Sequence, residues 1–157
     1  MGEMNVEYIN PFLVSASSVL QAACNITLKP GRPYVRTAAF DENSLVISIG
    51  VTGQLGGQVL LAFHKNVACE IASRMCMMPI DELNEIALSA LSELGNMILG
   101  NAATVLSTKN VVIDITPPMI IHGNFQMDRM YAQNICIPMT FDNDKLIEID
   151  ISIIGEK

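Results

Sequence analysis

Residues Asp81 to Thr108 read DELNEIALSALSELGNMILGNAATVLST. Set 100° apart, the step of a 3.6-residue turn, Ala87, Leu88, Leu91, Leu94, Ile98, Leu99, Ala102, Val105 and Leu106 fall on one arc. The spacing predicts one long helix, about 40 Å from end to end, with that arc against a core. The opposite arc holds Glu85, Ser89, Glu93, Asn96, Gly100, Ala103, Thr104 and Ser107, with Ile86 and Met97 at its edge. A helix face that meets only water usually carries Lys, Glu and Arg. Here Glu93 is the one charge between Ile86 and Thr108, and its neighbours are small. Such a smooth, low-charge face suits a surface that another molecule covers. Gly95 and Gly100 each cost about 1 kcal/mol in a helix interior relative to Ala. Gly95 lies on the core arc, where the expectation is close approach of another helix. Gly100 lies on the polar arc, where it leaves room for a partner's backbone.

Nearer the N-terminus, Asn10-Pro11 reads as a helix start, with Asn10 as cap and Pro11 in the first helical position, and that helix runs to Cys24. An extended stretch, Ile26 to Thr37, is broken at Pro30-Gly31. Strands are expected over Leu45–Val51 and Gly57–Phe63, joined by a turn at Gly53-Gln54-Leu55-Gly56-Gly57. No Lys-Ser/Thr follows those glycines, so they do not form a phosphate-binding loop. A helix over Asn66–Met77 ends before Pro79. After the long helix come strands near Val111–Ile115, Met119–His122, Met130–Met139 and Leu146–Ile153. In the last, Ile147, Ile149, Ile151 and Ile153 alternate with Leu146, Glu148, Asp150 and Ser152, the pattern of a half-buried strand with one acidic face. The expected fold class is α+β in two layers. Two pseudo-repeated halves each lead with a helix, and the two long helices pack on a mainly antiparallel sheet.

With 157 residues the chain is expected to be one domain spanning 1–157. Apolar residues make up 50% and charged residues 16%, a balance that folds rather than stays disordered. The net charge of −7, with no basic cluster, argues against nucleic acid and against anionic membranes as partners. Cys24, Cys69, Cys76 and Cys136 show no C-x-x-C spacing and read as reduced, mostly buried thiols. Asn43–Phe63 and Ile86–Thr108 are apolar but carry, respectively, four glycines and a mid-span carboxylate, so neither is read as a membrane span. No basic stretch followed by an apolar one opens the sequence; a cytoplasmic protein is expected.

Ser89-x-x-x-Glu93-x-x-Asn96, within Ser-Glu-Leu-Gly-Asn-Met-Ile-Leu-Gly-Asn-Ala, resembles the signature of the CheX/CheC/FliY family of response-regulator phosphatases. The family's downstream proline has its counterpart in Pro118 of Thr116-Pro117-Pro118, slightly short of the family's spacing. The first helix, read as Pro11 to Cys24, has no Glu-x-x-Asn, so the resemblance is closest to CheX, which carries the motif once. The resemblance implies removal of the phosphoryl group from a phospho-aspartate on a CheY-like regulator. In that scheme Asn96 positions the attacking water and Glu93 pairs with the regulator's lysine. Ser89, Gly100, Ala103 and Ser107 belong to the docking surface, and Gly95 and Pro118 are structural. The chain supplies no metal or other cofactor; the Mg²⁺ belongs to the partner regulator. A homodimer is also implied. An amide suits this task, since it donates and accepts hydrogen bonds in fixed geometry, and phosphoryl transfer depends mostly on positioning. Two other readings stay open: a non-catalytic module that binds a regulator or motor component, and a metal-dependent hydrolase using Glu93, Asp114 or His122. The second has no metal-ligand spacing behind it.

Overall fold

The computed structural model describes residues 6–35, 39–126 and 134–155. Its helices are α1 (Val6–Cys24), α2 (Lys65–Cys76) and α3 (Glu85–Ser107). Its strands are β1 (Lys29–Pro30), β2 (Ala39–Phe40), β3 (Ser44–Gly53), β4 (Leu55–His64), β5 (Ile113–Ile115), β6 (Met119–His122), β7 (Phe125–Gln126), β8 (Ile135–Phe141) and β9 (Lys145–Gly155). The large sheet runs β1-β8-β9-β4-β3-β5, with β6 also paired to β3. Every pairing in it is antiparallel.

Alternation sorts the strands' side chains. Leu45, Ile47, Ile49, Val59, Leu61, Ile147, Ile149 and Ile151 share one core with Phe12 and Leu20 of α1, Ile71 of α2, and Leu91, Leu94 and Ile98 of α3. Three helices therefore cover this face, not the two leading ones alone. The short α2 belongs there because Val67, Ala68 and Ile71 give it an apolar stripe of its own. Its N-cap is His64, whose Nδ1 accepts the Asn66 N–H at 3.0 Å. At its other end Arg74 and Lys145 both reach Glu70, at 2.7 and 2.8 Å, and Arg74 also reaches Asp142 at 3.0 Å. These pairs tie α2 to the β8–β9 turn.

Three sequence expectations change. Helix α1 begins by Val6, so Asn10 is not its cap; Asn10 and Pro11 sit within the helix. Strand β9 is more than half-buried: on its acidic side too, Asp150 is 2% exposed and Ser152 6%, with Asn134 donating to Asp150 at 3.3 Å. That side of the sheet holds a second, smaller apolar cluster of Phe40, Val46, Leu60 and Ala62, against which Phe125 packs. The strand expected over Met130–Met139 is observed from Ile135; residues 127–133 lie outside the described part.

The expected pseudo-repeat appears in the topology. The hairpin β3–β4 and the hairpin β8–β9 meet along the central β4–β9 pair. The strand that follows each leading helix crosses to the other half: β1 after α1 joins β8, while β5 and β6 after α3 join β3. The remaining short strands, β2 and β7, pair with each other.

Candidate functional site

Helix α3 is fixed at both ends. Asn84 caps its start, its Oδ1 accepting the Ala87 N–H at 2.8 Å. At the far end Asn110 turns the chain in the left-handed conformation, and Val111 N–H returns to Leu106 O at 3.0 Å. Ala87, Leu91, Leu94, Gly95, Ile98, Leu99, Ala102 and Leu106 are buried. A helix held this firmly along one side presents the other side as a rigid surface.

Gly95 sits at the tightest point of that packing. A Cβ there would lie 3.0 Å from Ile47 Cγ2 and from Ile49 Cδ1. The close neighbour is thus strand β3 and not another helix, as the sequence suggested. The third neighbour is the ring of Pro118, 3.6 Å away. Thr116-Pro117-Pro118 breaks the edge beside β3 into β5 and β6, because two consecutive prolines have no N–H for the ladder. Thr116 closes the gap: its N–H bonds Gly50 O at 3.0 Å, and its Oγ1 accepts the Gly50 N–H at 2.8 Å. Pro118 is then set beneath α3 at the residue before Asn96.

Glu93 and Asn96 are both exposed, three residues apart and so on adjoining turns of one face. Among the described residues neither side chain makes a hydrogen bond or ion pair. Ser89 is exposed one turn before Glu93. Gly100 is half-buried, and a Cβ built on it meets nothing within 4 Å, so the space above it is open. Ala103 is half-buried; Ser107 is exposed, with its hydroxyl turned back onto Thr104 O at 2.7 Å. Thr104 likewise bonds Gly100 O at 3.1 Å. The hydroxyls beyond Asn96 are therefore satisfied within the helix, which leaves Glu93 and Asn96 as its outward polar groups in that region.

Sequence reading did not single out the groove beside this face. Met75 and Cys76 at the end of α2, with Glu85, Ile86, Ser89, Ala90 and Glu93 of α3, line it. Ile86 is 50% exposed, and Met77, just outside the groove's lining, is 91% exposed. The signal was present in the run Met75-Cys76-Met77-Met78, whose apolar side chains outnumber the places inside one short helix.

Asp114 and His122 do not join Glu93. Asp114 faces Thr52 at one end of β3, and His122 faces Leu45 at the other. Among the described residues no three His, Cys, Asp or Glu side chains gather closely enough to hold a metal ion. The four cysteines are free thiols, three of them buried. Burial pushes the Cys24 thiol up to about 11, which keeps it protonated and unreactive at neutral pH. No described helix is long and apolar enough to cross a membrane.

The chain resembles known proteins over nearly its whole length. CheY-P phosphatase CheX of Thermotoga maritima is 28% identical over 151 residues, covering 96% of this chain and 97% of that protein. A CheC-like superfamily protein from Shewanella sp. PV-4 has a TM-score of 0.84 at 29% identity, covering 98% of this chain and all of the other. The CheX–CheY–BeF₃–Mg²⁺ complex from Borrelia burgdorferi gives 0.81 at 29% identity, covering 96% of this chain and 100% of the matched one. Residues 45–140, which span β3 through most of β8, match the profile of the chemotaxis phosphatase CheX. The chain belongs to the CheX family of chemotaxis phosphatases.

Proposed function

We propose that this chain hydrolyses the aspartyl phosphate of a CheY-like response regulator, with Glu93 and Asn96 entering the regulator's phosphorylation site from α3. One observation carries the reading: a carboxylate and an amide stand outward on one rigid helix face that is otherwise almost free of charge. The CheX–CheY complex among the structural relatives supports a regulator as the partner.

Hydrolysis forms a bond from a water oxygen to phosphorus and breaks the bond from phosphorus to the aspartate oxygen. The electron pair stays on the aspartate carboxylate, and the water's proton leaves with the phosphate or to solvent. Neither Asn96 nor Glu93 is consumed. The Asn96 carbonyl accepts a hydrogen bond from the water while its NH₂ donates to a phosphoryl oxygen, which holds the water in line. Glu93 offers a carboxylate to a cation on the regulator, and this fixes the insertion of Asn96. The Mg²⁺ is held on the regulator's side. Ser89, Gly100, Ala103 and Ser107 make the surrounding contact surface, where small side chains let the regulator's backbone come near. Gly95 and Pro118 set the depth at which α3 lies on the sheet, and so the height at which Asn96 stands.

The test is phosphate release from a phosphorylated receiver domain. Asn96→Ala lowers the rate roughly 100-fold, the scale on which a single positioning or stabilising group acts. Its thermal melting is unchanged because Asn96 is exposed. An unaltered rate removes the mechanism. A wild-type chain that binds the regulator without releasing phosphate makes it a non-catalytic interaction module instead. The working form is a cytoplasmic homodimer with one α3 site per subunit, which light scattering and cell fractionation check.

A further inference from the structure

The groove between the end of α2 and the start of α3 is continuous with the face that carries Glu93. Ile86, Ser89, Ala90 and Glu93 form a row along α3, three and four residues apart. The row runs about 10 Å from Glu93 toward the start of the helix. Met75 and Cys76 of α2 make the opposite wall, and the groove holds about 640 Å³. Cys76 and Ala90, one from each wall, pack on the buried cluster of Ala72, Ile80 and Ala87, which joins the two walls.

The turn after α2 keeps large apolar side chains in water beside this groove. Met77 is 91% exposed and takes the left-handed conformation (φ 54°) at the helix end. Glycine or asparagine ordinarily takes that place, because a side chain crowds the following carbonyl there. Met78 follows, 46% exposed. The backbone is nonetheless fixed. The Met77 and Met78 N–H groups both donate to Ser73 O, and Ser73 Oγ accepts the Ile80 N–H at 2.9 Å. Folding gains nothing from Met77 in water, whereas a partner that covers it does. Methionine's unbranched chain adapts to the surface laid on it.

Charge selects the kind of partner. The charged groups lining the groove are Glu85 and Glu93, both carboxylates. Arg74, in the last turn of α2, is held by Glu70 and Asp142. The occupant that fits is an apolar ridge flanked by Lys or Arg. A second copy of this chain, with its net charge of −7, is poor in such cations.

We infer that the groove is a further contact for the same regulator: an apolar ridge of the receiver domain, flanked by Lys or Arg, lies against Met75, Met77 and Ile86 while Glu93 and Asn96 occupy the phosphorylation site. The inference rests on the reading of Glu93 and Asn96 above. Met77 and Ile86 then act in docking alone and select among receiver domains by what those present beside the site.

Phosphate release by the full chain, followed over the concentration of a phosphorylated receiver domain, tests this. Ile86→Ser raises KM roughly tenfold, as loss of one anchoring side chain does, and leaves kcat unchanged. Met77→Gly raises KM several-fold while its urea midpoint holds or rises, because glycine suits the left-handed turn. A purely structural side chain would not raise KM while stability improves. Glu85→Gln raises KM less and flattens its dependence on salt. Cys76 is the half-exposed thiol among three buried ones, and its labelling by iodoacetamide slows several-fold under a receiver loaded with beryllofluoride, a phosphoryl mimic. Parental KM values in both Ile86→Ser and Met77→Gly overturn the inference. So does an Ile86→Ser chain that changes only its oligomeric size in light scattering, which would make the groove a contact between copies. Either result leaves the rate lost in Asn96→Ala untouched. An unaltered rate in Asn96→Ala is the separate result that removes the reading of α3, and this inference with it.

Discussion

Helices α1 and α3 share a frame and differ in what that frame presents. Inward they are interchangeable in kind: Phe12, Ala16 and Leu20 bury as Ile98, Ala102 and Leu106 do. Outward both carry an exposed Glu and an exposed Asn three residues apart, Glu7 and Asn10 on α1 and Glu93 and Asn96 on α3. They part at the positions that set depth and clearance. Counted from Ser15 and Asn101, which hydrogen-bond where the helices meet, buried Ile9 stands where α3 has Gly95 against Ile47, Ile49 and Pro118, and exposed Val14 stands where α3 has Gly100 with open space above it. A fold built from two similar halves constrains the buried stripe of both helices alike. Each half stays free to adjust the single residues that govern how closely a visitor approaches.

Exchanging those residues between the helices tests which of them sets the two apart. The largest change in stability is expected from Ile9→Gly, which empties a buried position. Loss of the side chain costs about 2–5 kcal/mol, and glycine within the helix adds about 1 kcal/mol. Urea unfolding measures it; a silent variant would mean that α1 does not pack as its partner does. The converse, Gly95→Ile, forces a branched side chain against Ile47 and Ile49, already 3.0 Å from a bare Cβ. It destabilises by about 1–3 kcal/mol, and it lowers phosphatase activity further by lifting α3 off Pro118. A Gly95→Ile chain as stable as the parent would show that strand β3 gives way there.

Gly100→Val carries the α1 residue into α3 at an open position. Its stability stays within about 1 kcal/mol of the parent, since the trade is between helix propensities alone. Its KM for the phosphorylated regulator rises by about tenfold, worth some 1.4 kcal/mol of docking. Equal KM values would place the regulator elsewhere on the helix.

The smallest effect separates the two central strands. On the side away from the helices β4 presents Gln58, Leu60 and Ala62, whereas β9 presents Glu148, Asp150 and Ser152. Burial, and next the charge of Asp150, hold the Glu148 carboxyl above its ordinary value of 4.5. The folded chain therefore binds this proton more readily than the unfolded chain. The group's contribution to stability is unpenalised below 4.5 and falls as pH rises through the raised value. Glu148→Gln, which gives β9 the residue type of Gln58, gains stability relative to the parent as pH is raised from about 4 to 7. Urea midpoints that differ by the same amount at both ends of that range would contradict it.

Local chemistry made much of this molecule legible. The three-to-four spacing of Leu91, Leu94, Ile98 and Ala102 admits one buried stripe and leaves Glu93 and Asn96 on the other side, because side-chain direction along a helix is set by its turn alone. The alternation in Leu45–Val51 and Ile147–Ile153 fixed strands for the same kind of reason. Asn10-Pro11 misled, since a proline in the first turns of a helix and a proline that opens one look alike in sequence. With that start misplaced, the first turn of α1, Val6 to Ile9, fell outside the helix. What no period could supply is which surface meets the back of each element. That β3 and not a helix lies under Gly95, that Pro118 braces it, that the acidic side of β9 is covered, and that α1 and α3 meet at Ser15 and Asn101 are contacts between residues far apart in the chain. Sequence determines the direction a side chain takes from its own backbone; only the packed structure decides what stands in its path.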